Sequence, residues 1–150
     1  MKKFKFSLDS VLSYKQQVLD ALKGEHAAIL AQIREQEDVL EAAWQAYRDC
    51  NEEYRQRKAE GITVMDAIFY QNGLRVLERD IQRETDRLEE LRRQEEAKRQ
   101  EVVGAKIDTS SIEKLREHKL EDYNKAVQKA EEGLIDEFVS SARVRSSVGA

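Results

Sequence analysis

The sequence predicts an all-α protein, a long antiparallel two-helix coiled-coil hairpin with a C-terminal helical extension. Three observations carry this. Charged residues make up 37% of the 150-residue chain, proline is absent and glycine numbers six, a composition suited to long helices rather than to a compact core. Two long stretches place apolar residues in an unbroken 3.5-residue frame, the signature of a coiled-coil seam. Between them stands one strong interruption, "KAEGITVMD".

The opening "MKKFKFSLDSVLSYK" alternates like a strand over Lys3, Phe4, Lys5 and Phe6, then steps like a helix from Leu8. Ser7 fits an N-cap, with Phe6 at N′ and Val11 at N4 in hydrophobic-staple spacing. The first helix is therefore expected over about 7–58, some 50 residues or about 75 Å. Its seam reads Leu8, Leu12, Lys15, Leu19, Leu22, His26, Ile29, Ile33, Gln36, Leu40, Ala43, Tyr47, Cys50 and Tyr54. Gly61 suits a C′ position, where positive φ costs glycine nothing. Thr63 suits the next N-cap, with Asp66 at capping-box spacing. The turn is placed at about 59–63 and the second helix from about 64.

The second seam reads Ala67, Tyr70, Leu74, Leu77, Ile81, Glu84, Leu88, Leu91, Glu95, Lys98, Val102, Ala105, Thr109 and Ile112. A short turn makes the helices antiparallel, so facing positions sum to 120 or 121. Tyr54 is then expected opposite Ala67, Ile33 opposite Leu88 and Leu8 opposite Ile112. The polar seam residues fall together: Gln36 faces Glu84 and His26 faces Glu95, pairs that would fix register at some cost in stability. Lys15 and Lys98 are expected to snorkel outward. A histidine in a helical seam is ordinarily packed or hydrogen-bonded, not a ligand or switch, and Cys50 reads as a small seam filler.

The second helix outlasts the first. A further stripe, Leu120, Tyr123, Val127, Ala130, Leu134 and Phe138, runs one residue out of frame with the seam and lacks a partner in the chain. The junction "VVGAKIDTSSIE" is weaker helix, and Ser110 to Glu113 has capping-box spacing. The helix is expected to reach about 143, either running straight through 104–111 or breaking and restarting there. A disordered tail is expected over 144–150, and the whole chain, 1–150, reads as a single coiled-coil domain.

The 26 basic and 30 acidic side chains are mixed along the chain, which offers no basic face to nucleic acid. A single cysteine gives no reason to expect an oxidising compartment. No apolar run approaches the roughly 20 residues of a membrane span, and no apolar h-region follows the basic N-terminus; the sequence points to a soluble cytosolic protein. No phosphate loop, metal-spaced His/Cys cluster or nucleophile–base pair is present, and a two-helix hairpin has no concave pocket for paired carboxylates. No enzymatic activity, cofactor or metal is expected.

"FKFSLDSVLSYK", "EGITVMDAIFYQNGLRVLERDI" and "LIDEFV", in this order and spacing, resemble the flagellar export protein FliJ family, the small stalk of the flagellar type III export ATPase complex. The equivalent stalk of injectisome secretion systems and the central stalks of rotary ATPases have similar hairpins. The reading outside this group is a self-associating structural coiled coil. The resemblance implies a non-enzymatic protein of bacterial flagellum biogenesis and motility. It would bind the hexameric export ATPase ring and promote its assembly and activity, link it to the membrane export gate and escort export chaperones. It would be cytoplasmic, peripheral at the inner face of the membrane near the flagellar basal body through its partners. Carried over, the ring-facing residues are Phe4, Phe6, Leu134, Asp136, Glu137 and Phe138, and the gate-facing ones Tyr47, Tyr70 and Leu77. Gly73, Asp80 and Glu84 depart from the family pattern. By the seam alone Tyr47, Tyr70 and Leu77 are core residues, while Trp44 lies beside the seam as an exposed contact candidate.

Overall fold

The computed structural model describes residues 2–149. Two helices make the fold, α1 over Asp9–Glu60 and α2 over Val64–Val148, with no strand among the described residues. The chain divides into two compact units, residues 20–103 and residues 1–19 with 104–150.

In the unit 20–103, α1 and α2 pack antiparallel on either side of the turn at 61–63. Gly61 adopts φ 95°, a region that costs a residue with a Cβ about 1 kcal/mol or more, and its N–H bonds to the Lys58 carbonyl at 3.3 Å. The Thr63 hydroxyl accepts the Asp66 N–H at 3.2 Å, capping α2 and satisfying one of its otherwise orphaned donors. Ile33, Leu88 and Leu91 form the centre of the core, with Ile29 and Leu40 packed against them. Every seam position named above between Leu22 and Val102 is buried or half-buried. No large side chain among the described residues is fully buried, because two helices without a third layer leave both flanks of the seam near water.

In the other unit, the start of α1 packs on the 104–127 stretch of α2. Leu12 and Thr109 are buried, Leu8, Lys15, Ala105 and Ile112 half-buried. Ion pairs Lys15–Asp108 at 3.7 Å and Asp9–Arg116 at 3.4 Å flank the contact. Three local features answer or correct the sequence expectation. First, α2 passes through 104–111 without a break, one of the two courses the sequence left open. The Thr109 and Ser111 hydroxyls donate to the carbonyls of Ala105 (2.7 Å) and Ile107 (2.9 Å) within the helix, and packing against α1 outweighs the low local propensity. Second, the helix continues over 144–148, where the sequence suggested a disordered tail. Ser146 and Ser147 bond back to the carbonyls of Arg143 and Val144, and Arg145 sits favourably in the last turn. Third, α1 starts at Asp9 rather than Ser7. Its first helical bond runs from the Leu12 N–H to the Leu8 carbonyl, after a turn closed by the Asp9 N–H on the Phe6 carbonyl. Val11, the expected staple partner of Phe6, keeps 40% of its surface exposed, while Phe6 keeps 6%.

Candidate interaction surfaces

The polar seam residues of the unit 20–103 meet as two layers. His26 Nε2 lies 2.9 Å from Glu95 Oε1; facing a carboxylate, that nitrogen is the donor. The Gln36 amide donates to Glu84 Oε2 at 2.6 Å and to the Glu84 carbonyl at 3.0 Å. The amide bond, aided by Arg83, holds the Glu84 carboxyl below its ordinary range against the opposing effect of burial. Both layers come from residues 48 and 69 positions apart in sequence, so a slip of either helix would strand their polar groups on apolar neighbours. Lys98 leaves the seam on its stem and bonds Glu25 and Glu101, each at 2.8 Å, which raises its pKa.

Near the turn an aromatic clamp closes the hairpin. The Tyr54 and Tyr70 rings stack with centroids 5.3 Å apart and planes 5° from parallel, so Tyr54 pairs with Tyr70, the next seam residue after the small Ala67 it was expected to face. The Tyr70 hydroxyl donates to Glu53 at 3.0 Å, and Lys58 Nζ lies 4.2 Å from the Tyr54 ring centre. Burial and the bond to Glu53 both disfavour the Tyr70 phenolate and raise its pKa. Among the gate-facing candidates Tyr70 is thus buried, and Tyr47 and Leu77 are half-buried. Trp44 is 42% exposed and meets Tyr47 edge-on.

The N-terminal candidates lie in the other unit. Residues 2–6 form neither helix nor strand and lie against α2 at Tyr123. The Phe4 ring packs 5.5 Å from Tyr123 beneath the Arg116 guanidinium at 5.6 Å, and the Tyr123 hydroxyl donates to the Lys2 carbonyl at 2.6 Å. The hairpin register alone would put Phe4 and Phe6 beside Ser110 to Lys114. The segment reaches Tyr123 because a residue outside the helix can advance up to about 3.3 Å against about 1.5 Å for a helical one. Leu120, Tyr123 and Val127 are half-buried. An open cleft of about 920 Å³ lies here, rimmed by Lys2, Lys3, Lys5 and Lys119.

Beyond Val127 every described residue of α2 is exposed. Leu134 is 66% and Phe138 75% exposed, with Asp136 and Glu137 beside them. The ring-facing candidates therefore split: Phe4 and Phe6 are packed against α2, whereas Leu134, Asp136, Glu137 and Phe138 stand open. Another exposed face, outside the seam, is formed by Val64, Met65, Ile68 and Phe69 at the start of α2. Its signal was present as apolar residues out of phase with the seam. Among the described residues no group of His, Cys, Asp and Glu is placed to hold a metal ion, and no helix is long and apolar enough to cross a membrane.

A keyed helical seam, an aromatic clamp and a bare amphipathic helix end define an all-α protein that works through its surfaces. A family model described as Flagellar FliJ protein matches residues 4–147, and the chain belongs to that family. Membership marks it as a component of the flagellar export apparatus, in a family of structural components rather than enzymes. No curated protein and no solved structure gives a match.

Proposed function

We propose that the protein is a central-stalk-like component of the flagellar type III export machinery. It binds a hexameric export ATPase ring, promotes the ring's assembly and turnover, and links it to the membrane export gate while escorting export chaperones. One observation supports this most: the helix past Val127 keeps its apolar stripe uncovered, with Leu134 and Phe138 two-thirds or more exposed. Such a helix gains stability when a partner supplies the missing apolar surface. A ring pore does so from all sides, and one asymmetric helix inside six equal subunits forces them into unequal states.

In this reading Leu134, Asp136, Glu137 and Phe138 touch the ring directly. Phe4 and Phe6 brace the segment of α2 from which that end emerges. Tyr47, Tyr70 and Leu77 shape the gate-facing side, with Tyr70 fixed by its stack on Tyr54. The protein works at the cytoplasmic side of the membrane, near the flagellar basal body, held there by its partners. Co-purification with the cognate export ATPase tests the reading. The intact chain is expected to co-elute with the ring and Phe138→Asp is expected not to. A ring that ignores both rules the stalk reading out and leaves self-association, which a mass measurement would show as a dimer hiding residues 120–138.

A further inference from the structure

The first turns of α2 carry a face that the seam does not use. Val64 is 77% exposed, Met65 83%, Ile68 50%, Phe69 74% and Val76 54%. At about 100° per residue these five side chains share one side of the helix, nearly opposite Tyr70, Leu77 and Ile81. Five large apolar groups clustered on one helix face mark an interaction surface rather than scattered surface hydrophobes.

The same side continues as a row of arginines. Arg75, Arg79, Arg83 and Arg87 follow at four-residue steps, and all are exposed. Arg83 reaches Asp80 at 3.1 Å and Glu84 at 3.5 Å. Arg75, Arg79 and Arg87 have no ion pair among the described residues. Of the acidic residues of this stretch, Asp66, Glu78 and Glu84 lie about 120° and Asp80 about 80° around the helix from the centre of the face; Asp86 alone shares it, and its carboxylate accepts a hydrogen bond from Gln82 at 2.9 Å.

We propose that this face docks an acidic amphipathic helix of a partner protein. The partner's apolar stripe would cover Val64, Met65, Ile68 and Phe69, and its carboxylates would meet the arginine row. Charge and period together select this occupant. Guanidinium groups at four-residue intervals match Asp or Glu at three- and four-residue intervals on a facing helix, with paired N–H donors for each carboxylate. From Val64 to Arg87 the face is about 35 Å long, so it takes a partner helix of about six turns. An anionic lipid surface has no such period to match the four-residue steps of the arginines. The inference is independent of the ring and gate readings, since Leu77 and Phe138 lie on other surfaces.

The test uses the full chain and three synthetic peptides of equal length. One is an amphipathic helix with a leucine stripe flanked by glutamates, one has lysines in place of the glutamates, and one scrambles the acidic peptide. Fluorescence anisotropy is expected to show saturable binding of the acidic amphipathic peptide alone. The double variant Met65→Glu/Phe69→Glu should weaken it at least tenfold. Arg79→Glu/Arg83→Glu should weaken it at least fivefold and flatten its salt dependence. Phe69→Ala, a milder change at an exposed site, keeps the test valid if the glutamates disturb folding, and should weaken binding at least threefold. The proposal is overturned if the acidic peptide fails to bind, if the lysine or scrambled peptide binds as well, or if the variants bind like the parent. Preferential binding to phosphatidylglycerol vesicles would overturn it in favour of a membrane surface.

Discussion

Leu88→Ala tests the seam where it is deepest. Leu88 is 5% exposed and packs with Ile33 and Leu91, against which Ile29 and Leu40 also rest. Truncation to alanine removes the transfer energy of three carbon atoms and opens a cavity, a combination that costs about 2–5 kcal/mol in globular cores. Here the site is flanked by solvent on both sides, so neighbouring side chains relax and water enters. The expected loss therefore falls at the low end, about 2–3 kcal/mol. Trp44 lies in the same unit, so its fluorescence in a urea titration reads the relevant transition. The midpoint should fall while the slope stays constant. Ile68→Ala is the control: Ile68 is 50% exposed and off the seam, and the change should cost about 0.5 kcal/mol or less. Equal losses for the two variants, or a Leu88→Ala midpoint matching the parent's, would refute the assignment of the core to the 3.5-residue frame.

Gln36→Leu removes the amide that holds the Glu84 carboxyl below its ordinary range. A depressed carboxylate contributes stability above its unfolded pKa and loses it as pH falls through the folded value. The variant should therefore lag the parent most at pH 7, with the gap closing below about pH 4; thermal melts across pH 3–7 check this. Gly61→Ala should lower stability by about 1–2 kcal/mol because of the positive φ. Gly73→Ala should be neutral or stabilising by up to about 1 kcal/mol, since the added Cβ meets only Cys50 Sγ, at an ordinary 3.8 Å. Tyr123→Phe deletes the hydroxyl that bonds the Lys2 carbonyl, so amide hydrogen exchange over residues 2–8 should accelerate with the rest of the chain unchanged.

Much of the fold was legible in the sequence because a coiled-coil seam is a one-dimensional code. Burial follows the 3.5-residue frame closely enough that even the polar seam residues, His26, Gln36, Glu84 and Glu95, lose exposure and find one another. Folding about Gly61 turned that frame into facing positions, since a short turn leaves little freedom in register. Legibility ended where packing or a non-helical backbone overrode local signals. Thr109 and Ser111 look like helix breakers, yet their hydroxyls bond inside the helix while α1 packs against it. Phe4 escapes any helical count, since its segment lies outside the helix and reaches Tyr123. The apolar face at Val64 to Phe69 is not legible in a single 3.5-residue frame because its residues fall out of phase with the seam. The bare end at Leu134 and Phe138 was visible by subtraction, as the stretch of α2 left after α1 ran out.

The turnover of the cognate export ATPase, measured as the chain is titrated in, tests the central claim most directly. The stalk reading predicts that hydrolysis rises and saturates near one chain per six ATPase subunits. Phe138→Asp should abolish the rise while leaving the chain's own helical content unchanged. A turnover rate indifferent to the chain, or raised equally by Phe138→Asp, would contradict it.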